Sequence, residues 1–123
     1  MSAKILIVDD SPSVRRMVRT ALEGDGYNVS ESADGQQALA ALEEARPGLV
    51  ITDIHMPVMD GISLVREIRS RPMFRFVPVL VLTTEGREEM KQLGRAAGAT
   101  GWIVKPFHPD QLRQVVARVL RIA

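Results

Sequence analysis

Ile5-Leu6-Ile7-Val8-Asp9-Asp10-Ser11-Pro12 is the stretch that decides the fold. Four consecutive β-favouring apolar residues leave no polar face, the pattern of a strand buried on both sides. Two carboxylates follow at once. Ser11 then suits a helix N-cap, and Pro12 suits the first helical position, where its missing N–H costs nothing. Val14, Met17, Val18, Ala21 and Leu22 recur at helical spacing until Gly24 or Gly26 closes the helix. A buried strand passing into an amphipathic helix is the opening of a β–α–β unit.

Working outward, the same alternation runs along the whole chain. Tyr27 to Glu31 reads as a weaker, polar strand suited to a sheet edge, followed by a helix from about Gly35 to Ala45. Leu49-Val50-Ile51-Thr52 is the third strand. The loop Met56-Pro57-Val58-Met59-Asp60-Gly61 leads to a helix through Ile62, Val65 and Ile68, with Asp60 as its turn or cap residue. Val79-Leu80-Val81-Leu82 is the fourth strand, and a helix from about Arg87 to Ala97 ends at Gly98. Trp102-Ile103-Val104 is the fifth strand, and Leu112, Val115, Val116, Val119 and Leu120 stripe the last helix. Five strands alternating with five helices predict a doubly wound α/β fold, a parallel sheet covered on both faces by right-handed crossovers. One domain is expected over residues 1–123, with no linker or repeat.

Composition narrows the function. The 123 residues are 46% hydrophobic and 25% charged, as in an ordinary globular chain. A net charge of +1 gives no reason to expect a nucleic-acid partner. Without cysteine there is no disulfide or thiolate chemistry. The apolar runs are far shorter than the roughly 20 residues of a membrane helix. A soluble, cytoplasmic, monomeric protein is therefore expected.

Ligands of open parallel sheets bind beyond the carboxyl ends of the strands. Those ends carry Asp9 and Asp10 after the first strand, Asp53 after the third, Thr83 and Thr84 after the fourth and Lys105 after the fifth. Each has an ordinary structural reading alone, as a cap, turn or solvated side chain. Together they form a cluster with its own chemistry. Crowded carboxylates repel unless some are protonated or a cation joins them. An incomplete, all-oxygen site suits Mg²⁺, which also favours phosphate oxygens. With Lys105 beside it, such a site would attract a phosphoryl donor and neutralise the charge of transfer, with Asp53 as nucleophile.

The motifs Ile5–Ser11, Asp53-Ile54-His55-Met56-Pro57-Val58-Met59-Asp60-Gly61, Leu82-Thr83-Thr84 and Val104-Lys105-Pro106-Phe107 together resemble the receiver domain of two-component response regulators, over essentially the whole chain. Within that family, Ala96-Ala97-Gly98-Ala99-Thr100-Gly101-Trp102 resembles the single-domain chemotaxis proteins of the CheY type. The resemblance implies the flavodoxin-like strand order 2-1-3-4-5. It also implies phosphorylation at Asp53 by a histidine kinase. Asp10 and Asp53 would ligate Mg²⁺, with Asp9 acting through a bound water and the backbone carbonyl of His55 completing the shell. Thr83 and Lys105 would contact the phosphoryl group, and Lys105-Pro106 would be cis. Trp102 stands where many members carry tyrosine, as a switch residue or simply a partly buried core residue. His55 and Glu85 would tune hydrolysis of the acyl phosphate. Arg87, Trp102 and Val104 would belong to the surface that a downstream protein reads, possible targets being a flagellar motor switch or a kinase.

Two other functions compete. An aspartyl-phosphate phosphohydrolase also uses a strand-end aspartate with Mg²⁺, but such enzymes usually carry Asp-x-Asp, where this chain has Asp9 and Asp10 adjacent. A phosphate-independent adaptor needs none of the matched residues. Arg15, Arg16 and Arg19 are expected as a solvated or kinase-facing patch, and Met73, Phe74 and Phe76 as exposed residues of the loop Arg71 to Phe76, which closes over the core's edge or, as the lesser alternative, meets a partner.

Overall fold

A computed structural model describes residues 3–122. Strand β1 (Lys4–Val8) leads into helix α1 (Pro12–Glu23), followed by β2 (Asn28–Ser32), α2 (Gly35–Ala45), β3 (Leu49–Thr52) and α3 (Gly61–Ser70). A short 3₁₀ turn (Pro72–Phe74) precedes β4 (Val79–Thr83), α4 (Glu88–Ala97), β5 (Gly101–Val104) and α5 (Pro109–Ile122). All strand pairings are parallel, in the order β2-β1-β3-β4-β5, so the doubly wound fold and the 2-1-3-4-5 order both hold. No described helix is long and apolar enough to cross a membrane.

The uninterrupted apolar strands are explained by what covers them. Alternate side chains of β1 enter opposite layers. Ile5 and Ile7 pack with Val18, Leu22, Leu112 and Val116 beneath α1 and α5. Leu6 and Val8 pack with Ala38, Leu42, Leu64 and Ile68 beneath α2 and α3. Each such fully buried aliphatic side chain contributes about 1.5–3 kcal/mol. A smaller cluster of Ile54, Ile62 and Val81 lies on the α4 side, with Met90 and Trp102 against it.

Local signals set the helix starts. Ser11 Oγ accepts the Val14 N–H at 3.3 Å, and Asp60 Oδ1 accepts the Ser63 N–H at 2.9 Å, so Asp60 is the N-cap of α3. The structure departs from the sequence reading in several places; Thr83 is the last residue of β4 and not the first beyond it, and β5 begins at Gly101. β2 begins and ends one residue later than expected. Arg15 is largely buried and Arg19 partly exposed: both pair with Glu31, and their guanidinium groups also reach the backbone carbonyls of Asp9 and Val29. Phe74 is only 4% exposed, while Met73 and Phe76 are exposed. The 3₁₀ turn and the Arg69 guanidinium, which donates to the carbonyls of Phe74, Val77 and Gly98, rotate Phe74 into the core.

Candidate functional site

The C-terminal ends of β1 and β3 are adjacent in the sheet, which brings Asp9 and Asp53 side by side. Carboxylate oxygens of Asp9, Asp10 and Asp53 lie within 4.8 Å of one another. Asp9 and Asp53 are buried, and Asp10 is exposed and opens the cluster to solvent. Lys105 arrives from the end of β5 across a cis peptide to Pro106. Its Nζ donates to Asp9 Oδ2 at 2.9 Å and to Asp53 Oδ2 at 3.1 Å. Burial pulls the Lys105 ammonium downward, but the hydrogen bond and charge of Asp9, with those of Asp53, outweigh it and hold its pKa above the ordinary lysine value. The lysine therefore stays cationic at neutral pH.

The backbone fixes the remaining orientation. Asp53 Oδ1 accepts the N–H of Ile54 at 2.6 Å and of His55 at 3.3 Å, so the carboxylate is held by its own loop. The Asp53 carbonyl accepts the Thr52 hydroxyl at 2.8 Å. Gly61 packs directly on that carbonyl: a Cβ there would lie 2.1 Å from the oxygen, so only glycine allows α3 to start so close to the site. Beside it, Val58 holds φ at 72°, the left-handed region that a β-branched residue rarely adopts.

Above this floor sits a second cluster. Thr83 is fully buried, and its Oγ1 accepts the Glu85 N–H at 3.3 Å; Thr84 is exposed. Glu85 Oε1 meets His55 Nε2 at 3.1 Å, while Arg87 Nε and Nη2 donate to the same carboxylate at 2.9 and 3.0 Å. The Arg87 guanidinium, its backbone N–H and His55 together pull the Glu85 carboxyl down to about 2. Trp102 Nε1 donates to the Glu85 carbonyl at 2.9 Å, and its ring lies so close to Gly94 of α4 that a Cβ there would meet it at 2.6 Å. Trp102 is thus partly buried against the Ile54–Ile62–Val81 cluster, and Val104 is exposed.

The structure brings together Asp9, Asp10, Asp53 and Lys105 as one group, and His55, Thr83, Glu85, Arg87 and Trp102 as its neighbour. Sequence reasoning put Arg15 in a solvated or kinase-facing patch and missed its part in the site: it is only 16% exposed, and its guanidinium supports the Asp9 carbonyl at 2.5 Å and pairs with Glu31. The available signal was its place in the first turns of the helix that directly follows Asp9.

Chemically, the site offers hard oxygen donors on an open rim with a fixed cation behind them. That donor set fits Mg²⁺, which takes one or two carboxylates and keeps several waters. It also fits a phosphoryl group, whose oxygens can meet the ammonium.

Comparison with known proteins gives the family. Chemotaxis protein CheY4 of Vibrio cholerae superposes with a TM-score of 0.93 at 48% identity, covering 97% of this chain and 99% of that one. The receiver domain of the Pseudomonas aeruginosa sensor histidine kinase PA1611, solved with a magnesium ion coordinated in its active-site cleft, gives a TM-score of 0.90 at 31% identity over 98% of this chain and 99% of that one. The alkaline phosphatase synthesis transcriptional regulatory protein PhoP of Bacillus subtilis is 36% identical over 98% of this chain but only 50% of its own length. The chain thus spans about half the length of the curated relatives it matches. With residues 5–117 matching the family as a whole, the chain belongs to the response regulator receiver domains of two-component signalling.

Proposed function

We propose that this chain is a phosphorylation-dependent switch that takes a phosphoryl group on Asp53 from a histidine kinase and presents the change to a protein partner. The observation that carries the reading is the Lys105 ammonium bound to both Asp9 and Asp53 at the edge of an open carboxylate cluster. An Asp53 carboxylate oxygen attacks phosphorus in line, the P–N bond of the donor phosphohistidine breaks, and the imidazole leaves with the electron pair. Asp10 and Asp53 would hold Mg²⁺ with the His55 carbonyl, and Asp9 through water. When bound, the ion neutralises charge on the transferring oxygens. Lys105 pairs with a phosphoryl oxygen. Thr83 already accepts a hydrogen bond through Oγ1, so its own proton remains available to donate.

The response runs outward from Thr83. Drawing its hydroxyl toward the phosphoryl group disturbs the Glu85 N–H, and with it the contacts to His55, Arg87 and Trp102. Arg87, Trp102 and Val104 are then the surface that a partner reads. His55 and Glu85, at the mouth of the site, set the lifetime of the acyl phosphate. The domain catalyses its own phosphorylation and dephosphorylation and does not turn over an external ester. Likeness to CheY4 along nearly the full length of both chains supports a chemotaxis role, acting in the cytoplasm. The PhoP likeness, confined to half of that protein, supports the receiver switch that the two share and leaves the downstream partner open.

The test is labelling with acetyl phosphate, with and without Mg²⁺, on wild type and Asp53→Asn. Mg²⁺-dependent, base-labile label absent from the variant is expected. A folded wild type that takes no label would leave only a phosphate-independent adaptor, and multiple turnover of an ester would make the chain a hydrolase. Altered label decay in His55→Ala is expected, and unchanged decay removes His55 from the tuning role.

A further inference from the structure

We infer that the opposite end of the sheet, at the N-terminal edge of β3 and β4, is a docking surface for a protein segment that carries a large apolar side chain flanked by carboxylates. Two segments build it, Arg46-Pro47-Gly48 and Arg71 to Pro78, and together they hold three arginines and no acid. They enclose a groove of about 380 Å³ whose walls include Arg46, Pro47, Pro72, Met73, Phe76 and Pro78. Phe76 is 85% exposed, and the Arg75 guanidinium sits 5.7 Å over its ring.

This exposure is held in place. Phe74, two residues earlier, is buried in the core beside Leu64 and Ile68. Arg69 ties the loop down through the Phe74 carbonyl at 3.3 Å and the Val77 carbonyl at 2.5 Å, and joins it to Gly98 at 2.8 Å. Prolines at 47, 72 and 78 remove further backbone freedom. A preorganised aromatic loses little entropy when a partner covers it.

Charge selects the partner. Among the described residues none of Arg46, Arg71 and Arg75 lies within ion-pair distance of a carboxylate, in contrast to Arg15, Arg19, Arg87, Arg95 and Arg113. Among the described residues the Arg46 and Arg71 guanidinium groups donate only to the carbonyls of Glu43 and Leu39. A guanidinium has five donors, so each keeps capacity for an incoming carboxylate. A bilayer surface is normally met by an amphipathic helix with a long apolar face. This patch is instead a groove between two loops, the shape that accepts one anchoring side chain. It lies at the start of the strands, whereas Asp53 follows the end of β3, so docking here does not depend on phosphorylation.

The test uses two synthetic peptides, one with a single tryptophan flanked by glutamates and one with the same tryptophan flanked by lysines. Each is titrated into the isotope-labelled chain while backbone amide shifts are followed. The acidic peptide is expected to move residues 46–48 and 71–77, in wild type and in Asp53→Asn alike. Its affinity should drop about tenfold in Phe76→Ala, an exposed substitution that spares the fold, and again in Arg75→Glu. No shift in those segments, or equal binding of the lysine peptide, overturns the proposal. Concentration-dependent dimers abolished by Phe76→Ala would assign the face to a second copy. Binding to anionic vesicles abolished by that change would assign it to lipid, and either result overturns the protein reading.

Discussion

Replacing Gly61 with alanine tests whether the start of α3 and the Asp53 loop are one rigid unit. The added Cβ would stand 2.1 Å from the Asp53 carbonyl oxygen, 2.9 Å from Ile54 Cα and 3.0 Å from the Asp53 carbonyl carbon. A comfortable carbon–oxygen contact is about 3.3 Å, so the backbone must open by roughly 1.2 Å. Every atom it meets is main chain, and no rotamer change relieves the clash. Overpacking of this kind costs about 1–3 kcal/mol. The movement also strains the Gly61 N–H bond to the Ile54 carbonyl and the Thr52 hydroxyl bond to the Asp53 carbonyl, both 2.8 Å. Each such bond is worth about 1 kcal/mol and is weakened rather than lost, which brings the expected loss to about 3 kcal/mol. With a urea slope of about 2 kcal/mol/M, the unfolding midpoint should fall by about 1.5 M. Because the displaced carbonyl belongs to Asp53, Mg²⁺ affinity should weaken as well. Gly24→Ala is the control: its φ is −60° and the nearest atom is 3.4 Å away. That change should be neutral or stabilise by about 0.4–1 kcal/mol. A Gly61→Ala midpoint within error of wild type would refute the packing argument.

Lys105→Met removes a cation that meets both Asp9 and Asp53, and should cost about 2–3 kcal/mol in urea unfolding at neutral pH, below the usual buried-pair loss because Asp10 opens the site to water. Added Mg²⁺ should restore part of that loss, and a variant as stable as wild type without the ion would contradict the pairing. Glu85 is held near 2 against an ordinary 4.5, so its contacts stabilise the fold above pH 4.5 and lose that effect as pH falls from 4.5 toward 2. Arg87→Ala removes the largest cause, so the gap in urea midpoint between wild type and variant should be widest at neutral pH and shrink across that window. A gap that stays constant would mean that Arg87 acts by packing alone. Val58→Gly, at a φ of 72°, should raise stability by about 1 kcal/mol, and a lowered melting temperature would show that the side chain contributes more than its strain costs.

What could be read from the sequence followed from how local each signal is. The β1 run Ile5–Val8 has no alternative pairing face, so strand, burial and the rim position of Asp9 follow together. The sheet's edge was legible in the polarity of β2, but its limits were not, because only Val29 and Ser32 of that strand are buried. The depth of Glu85 was hidden: a turn closed by the Thr83 hydroxyl folds its side chain back, and Gly86 marks a loop there without showing which way Glu85 faces. Phe74 and Phe76 are the same residue two positions apart in one loop. Their opposite fates depend on Arg69 bonding to Gly98, 29 residues away, and no local pattern encodes that contact.

Glu85 is also where the two groups of site residues become one structure. Its N–H meets Thr83, its carboxylate meets His55 and Arg87, and its carbonyl meets Trp102. A displacement of this residue changes all four contacts, and these reach the rim beside Asp53, the start of α4 and the middle of β5. The indole makes its link directional: it donates and cannot accept, so only an acceptor such as the Glu85 carbonyl can hold it in this place. Gly94 supplies the complementary condition, since any side chain there would displace the ring. The position of Trp102 therefore reports on the β4–α4 loop from one side and on the packing of α4 from the other, and a change at either is felt at the ring.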